Sequence, residues 1–108
     1  MKTLKLLTLF FALLVTMSGN AQSPEKKAQK FTDEITKVLE LNEADSKAIY
    51  QIQLERFTEM ADIQKKHADD PDAKKEATDA LGKKVFNKMK SVLGQERQKK
   101  WKEYKDNK

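Results

Sequence analysis

The sequence predicts an all-α fold of about four helices arranged around a long central one. Three observations carry this. Apolar residues recur at helical spacing through almost all of residues 22–108, and no stretch alternates with period two over a useful length. Only 3 Gly and 2 Pro interrupt the 108 residues. Both prolines, Pro24 and Pro71, directly follow a capping residue, Ser23 and Asp70, which is the arrangement that opens a helix.

The chain begins with an export pattern. Lys2 and Lys5 precede the uncharged run Leu6–Met17, and Ser18-Gly19-Asn20-Ala21 follows with small residues at the −3 and −1 places. Twelve residues are too few to span a bilayer, which needs about 18 or more. Residues 1–21 therefore read as a signal peptide cleaved near Ala21, and residues 22–108 as a single all-helical domain outside the cytoplasm. With no Cys in the chain, disulfides, thiolate metal sites and a lipid-modified cysteine are excluded. Residues 22–108 contain only 28 hydrophobic residues, 8 of them Ala, which makes a lean core, and association between copies is one way to enlarge it.

The first helix opens at Ser23-Pro24-Glu25, buries a stripe of Phe31, Ile35, Val38 and Leu39, and ends near Glu40. The second opens at Asn42, whose side chain can accept from the first turn, with Asp45 placed to reach back as in a capping box. It is expected to run to about Ala68, where Ala68-Asp69-Asp70-Pro71 stops it. The third starts at Pro71 with a stripe of Ala77, Leu81, Val85, Met89 and Val92, and contains Gly82. Leu93-Gly94 is expected to end it, and Gln95 to about Lys105 to form a short fourth helix carrying Trp101 and Tyr104. Short connections make successive helices antiparallel or sharply angled, so the whole reads as a helical hairpin with additions.

The second helix carries the functional information. Ile49, Tyr50, Ile52, Leu54, Phe57, Met60, Ala61 and Ile63 spread over an arc of about 200°, roughly twice what one neighbour needs. The helix therefore meets two neighbours, a second subunit or a client. Gln53, Arg56, Gln64 and His67 project within the same arc, either as binding groups or with their stems along the core edge and their heads in water. Charge is also segregated. Residues 31–82 hold 7 basic and 13 acidic side chains, and residues 83–108 hold 10 and 3. One reading is a field that complements the acidic second helix within the fold; the other is a patch that steers acidic partners.

The chemistry of most enzymes is missing. His67 is the only histidine; Asp69, Asp70 and Asp72 lie near it but straddle a helix break, so no metal site is expected. No Ser or Thr has a base marked beside it, and there is no Gly-rich phosphate loop. No cofactor is expected, and the chain reads as a non-enzyme. Trp101 and Tyr104 among lysines suggest a nucleic-acid strand site. Their spacing is more simply that of packing residues, and an exported chain rarely meets nucleic acid. No stable membrane insertion is expected once the signal is removed.

Two segments resemble a known pattern. Leu41-Asn42-Glu43-Ala44-Asp45 is similar to the L-T-x-x-Q start of a long helix, and Leu93-Gly94-Gln95-Glu96-Arg97 is similar to a second copy 52 residues on. In such a motif Thr caps the helix and Gln reaches back to the cap. Here Leu41, Asn42 and Asp45 keep that order with a shorter acceptor, whereas in the second segment Leu93 keeps the leucine, Gly94 is a poorer cap than Thr, and Arg97 at the Gln position cannot accept. The chain thus resembles the Spy/CpxP-like periplasmic family named for these motifs. The resemblance implies an ATP-independent periplasmic chaperone or envelope-stress protein, a homodimer of curved helical hairpins that binds clients on a basic and apolar face.

The expected client surface combines Arg56, Phe57, Met60 and Ile63 of the second helix with Lys83, Lys84, Phe86 and Lys88 of the third. Lysines would steer unfolded or acidic envelope proteins, and the apolar groups would give adaptable contact. The alternative is an interaction or stress-regulatory module that docks one defined envelope partner without general chaperone activity.

Overall fold

A computed structural model describes residues 23–108; the expected signal segment, Met1 to Ala21, lies outside the described residues. The described residues form an all-α fold with no strand. Its helices are α1 (Pro24–Leu39), α2 (Glu43–Lys66) and α3 (Pro71–Asp106). There are three helices rather than about four. The boundary expected at Leu93-Gly94 is a kink inside α3: Gly94 has φ 82° and ψ 164°, while helical structure resumes on both sides. Glycine alone adopts this backbone region readily, so the residue both permits and localises the bend.

The caps follow from the sequence. Ser23, Asn42 and Asp70 each accept a backbone N–H three residues on, from Lys26, Asp45 and Ala73. Asp45 therefore takes part in the cap through its backbone, while its side chain turns elsewhere. The α1–α2 turn is only three residues long. Glu40 adopts the left-handed conformation (φ 52°, ψ 53°), and Glu40 and Leu41 both donate their N–H groups to the Thr36 carbonyl. This is a Schellman-type ending, normally made by glycine, whose following apolar residue packs back on the helix. Leu41 is that residue and is buried.

The core is a single cluster of Ile35, Leu39, Leu41, Ile49, Met89, Leu93 and Trp101. It sits where α1, the start of α2 and the bend of α3 meet. α2 packs against both α1 and α3, so its wide apolar arc faces two neighbours within the chain, with Ile49 buried, most of the rest half-buried and Ala61 exposed. Thr36 Oγ1 meets Ser46 Oγ at 2.8 Å near the first turn, and Lys27 lies over Phe57 farther along, so α1 and α2 are antiparallel. Lys84 pairs with Glu59 and Lys88 with Glu55, which makes α2 and α3 antiparallel too. Beyond the kink, the last arm of α3 runs alongside α1. Trp101 meets Phe31 edge-on at 5.4 Å between ring centroids, and Tyr104 donates to Glu34 at 2.9 Å. From Leu54 to Ala80 no side chain is buried. Beyond the Lys27–Phe57 contact, the far part of the α2–α3 hairpin therefore projects from the core.

Candidate functional site

The ten cations of residues 83–108 divide into two groups. Four are used inside the fold. Lys84 pairs with Glu59 at 2.8 Å, Lys88 with Glu55, Arg97 with Asp45 at 3.2 Å and Lys108 with Glu34 at 2.7 Å. Glu59 raises the Lys84 pKa, and Lys88 lowers that of Glu55, each mainly through the shared hydrogen bond. To this extent the basic segment complements the acidic residues ahead of it. Lys102 has only an exposed contact with Asp106 on its own helix, at 3.4 Å. Lys83, Lys90, Lys99, Lys100 and Lys105 make no ion pair among the described residues.

Three of these unpaired lysines gather at the elbow. The bend at Gly94 folds the last arm of α3 back, so that the Gln98 side-chain amide donates to the Phe86 carbonyl at 3.3 Å. In a straight helix those residues would stand about 18 Å apart. The groove enclosed is about 450 Å³, lined by Phe86, Lys90, Gln95, Gln98, Lys99, Trp101, Lys102 and Lys105. A smaller trough of about 220 Å³ continues from it past Gln98 and Trp101 to Arg56, Gln53 and Met89. Neither is lined by a carboxylate. Phe86 is 54% exposed and is the one exposed large apolar side chain among the described residues. An apolar floor ringed by ammonium groups, three of them without an ion pair among the described residues, favours a partner carrying both carboxylates and an apolar anchor.

The expected client residues fall into separate places. Phe86 stands at the elbow and Arg56 in the adjoining trough. Arg56 donates to Gln53 Oε1 at 2.9 Å and covers the Phe57 ring at 4.9 Å; burial pulls its guanidinium below the usual arginine range. Gln53 is fully buried and reaches Met89 Sδ at 3.4 Å, so it is a core residue. Phe57 lies between Lys27 and Arg56. Ile63 lines a shallow trough at the far end of the hairpin, with Ala77, Ala80 and Leu81, and Met60 is half-buried. Lys83 is exposed, whereas Lys84 and Lys88 are held by α2.

Sequence reasoning missed Lys90, Lys99, Lys102 and Lys105 as a group. Phe86 and Lys90 are one turn apart, as are Lys99, Lys102 and Lys105. That spacing was available; the fold-back that joins the two sets was not.

The motif residues do converge. Leu41 and Leu93 share the core cluster, and Arg97 Nη2 reaches Asp45 Oδ2. Arg97 also donates through Nε to the Leu93 carbonyl at 2.9 Å and through Nη2 to the Val92 carbonyl at 3.1 Å. Those oxygens end the straight part of α3, so one guanidinium both caps that part and ties it to the first turn of α2. Trp101 is buried and stacked with Tyr104 at 5.4 Å, as packing residues.

Among the described residues no group of three or more His, Asp and Glu side chains is placed to hold a metal ion. No helix among them is long and apolar enough to cross a membrane. Residues 16–107 match the model of a family described as a domain of unknown function, DUF4890. No curated protein and no solved structure matches the chain.

Proposed function

This chain belongs to the DUF4890 family, and from that premise we propose that it is a non-enzymatic binding protein that holds acidic or unfolded protein segments transiently and without ATP. The elbow of α3 is its client site. The observation that carries this reading is Phe86, half-exposed on a groove whose charged lining is entirely cationic. Lysines capture and orient a client at long range, while Phe86 and the edge of Trp101 supply short-range contact. Affinity from such a small, wet site is modest, which suits reversible holding.

The resemblance of the Leu41 and Leu93 segments to the Spy/CpxP-like motifs supports the same reading, and with it export to the periplasm after cleavage near Ala21. The test is aggregation of a chemically denatured acidic protein at low salt, without nucleotide. Several-fold molar excess of this protein should suppress light scattering, and about 0.5 M salt should abolish the effect. No suppression at low salt would remove the proposal.

One observation favours a narrower reading, a module that docks one defined envelope partner: Phe86 and the lysines Lys90, Lys99 and Lys105 gather at one place, the elbow, rather than along the length of the hairpin. Capture from envelope extract separates the two. One stoichiometric partner indicates docking, and many substoichiometric ones indicate holding.

A further inference from the structure

Gln98 Oε1 is the one buried side-chain oxygen or nitrogen among the described residues that has no hydrogen-bond partner. Turning the amide over would not relieve it. Gln98 Nε2 donates to the Phe86 carbonyl at 3.3 Å, and the flipped amide would set oxygen against oxygen there. Two polar neighbours in the trough are engaged elsewhere: Gln53 Nε2 donates to Met89 Sδ, and Arg56 Nη1 to Gln53 Oε1. A dry, unpaired acceptor is costly, so an incoming donor that reaches it gains affinity.

Gln98 also stands where the two cavities of the elbow join. It lines the groove of about 450 Å³ and the trough of about 220 Å³, as do Phe86, Trp101 and Lys105. We infer that the elbow selects tryptophan: the indole of an acidic client segment rests on Phe86 and Trp101, donates its N–H to Gln98 Oε1, and leaves its flanking carboxylates to Lys90, Lys99 and Lys102. This inference rests on the function proposed above and names the kind of segment the groove takes.

The chemistry of the floor narrows the choice. The occupant needs an apolar body to cover Phe86 and Trp101, and a donor for Gln98 Oε1. Phenylalanine would cover the oxygen without pairing it. A tyrosine hydroxyl would bring lone pairs of its own beside an acceptor, and a backbone N–H comes with a carbonyl that needs its own donor. Indole alone joins a large apolar face to a group that only donates. Because Gln98 Oε1 is closed to solvent, a side chain must move to admit the ring. Lys105 is exposed, makes no ion pair among the described residues, and lies over Trp101 with Nζ 5.8 Å from the ring centroid. It exchanges that contact for a client carboxylate as the indole enters, a rotamer change of an exposed side chain.

Two labelled heptapeptides, Asp-Glu-Asp-X-Asp-Glu-Asp, test this by fluorescence anisotropy in about 20 mM salt. X is Trp in one and benzothienylalanine in the other, which keeps the shape of indole and replaces its N–H by sulfur. The Trp peptide should bind about fivefold or more tightly than its analogue. Equal binding would overturn the inference and leave the groove function standing. Binding of neither peptide, up to about 1 mM protein, would overturn both. Gln98→Met keeps the length of the side chain and removes Oε1, so this variant should bind the two peptides alike. A Trp preference that survives in the folded variant would place the N–H contact elsewhere and overturn the assignment to Gln98. Should the variant fail to fold, the comparison of the two peptides on the unsubstituted protein decides.

Discussion

Arg97 Nη2 lies 3.2 Å from Asp45 Oδ2, joining the equivalent positions of two motif segments 52 residues apart. Each residue stands where a helix-start motif places a side chain that reaches back to its own cap. Instead the two reach each other, and Arg97 uses its remaining donors on the Leu93 and Val92 carbonyls. Arg97→Ala should therefore remove one partly exposed ion pair and leave two carbonyls at the elbow without their donor. The expected loss is about 1–2 kcal/mol, read as a lower urea midpoint with the slope unchanged. Arg97→Lys should recover little, because an ammonium cannot serve three acceptors in the fixed geometry of a guanidinium.

Gly94 sets the elbow. Its φ of 82° and ψ of 164° lie in a region that side chains with a Cβ avoid. Added bulk meets nothing within 4 Å, so the penalty for Gly94→Ala is conformational rather than steric crowding. The expected cost is about 1–3 kcal/mol, unless the helix straightens to escape it. Straightening would pull Trp101 from Phe31 and open the groove. Tryptophan emission separates the outcomes: a red shift in the folded state marks straightening, and an unshifted spectrum with a lower midpoint marks strain alone.

Much of the fold was legible because the signals were local. Ser23, Asn42 and Asp70 are the caps that the sequence assigns, and the apolar stripes Ile35–Leu39 and Leu81–Met89 face the core. Gly94 was legible as an interruption, but the direction in which the chain leaves it was not; that direction goes with the Arg97–Asp45 pair and the Phe31–Trp101 contact, both long-range. Gln53 and Arg56 were ambiguous for a similar reason. The Met89 sulfur that receives Gln53 lies 36 residues away, and nothing near Gln53 announces it. The lysines divide the same way: which are spent on Glu55 and Glu59 depends on the α2–α3 register, a long-range fact.

Glu40 occupies the left-handed position at the end of α1, where glycine carries no Cβ penalty. Glu40→Gly should keep the Schellman-type bonds to Thr36 and remove that strain, partly offset by the added freedom of the unfolded chain. A net gain of about 0.5–1 kcal/mol is expected, visible as a rise of a few degrees in Tm. An unchanged or lower Tm would mean that the Glu40 backbone is not strained.

The last arm of α3 is held to α1 by a three-group cluster with a defined pH window. Lys108 and then Tyr104 hydrogen-bond Glu34 and hold its carboxyl below the usual carboxylate range. The same carboxylate raises Tyr104 and Lys108. A lowered acid stabilises the arm above its ordinary pKa of about 4.3 and releases that stability as pH falls through the lowered value. A raised tyrosine or lysine contributes below its ordinary pKa of about 10 and is lost as pH rises through the raised one. Amide exchange in residues 95–106 should be slowest, after correction for intrinsic rates, between about pH 5 and 9. It should accelerate outside that window, and Glu34→Gln should flatten the profile. An unchanged profile in that variant would remove the cluster from control of the arm.

Charge reversal separates spent from unspent lysines. Lys84 and Lys88 face Glu59 and Glu55 across the hairpin, so Lys84→Glu and Lys88→Glu should set like charges together and lower the unfolding midpoint modestly. Capture of an acidic client should change little beyond the shift in net charge. Lys90→Glu and Lys99→Glu break no ion pair among the described residues and lie on the groove. They should leave the midpoint within about 0.5 kcal/mol and slow capture several-fold at low salt, with the difference vanishing as salt screens the field. Phe86→Ser should do the converse, leaving the capture rate intact and speeding release, because short-range apolar contact acts on dissociation. If reversal at Lys84 and Lys88 slowed capture as much as reversal at Lys90 and Lys99, net charge rather than the elbow would steer the client, and the groove would lose its role.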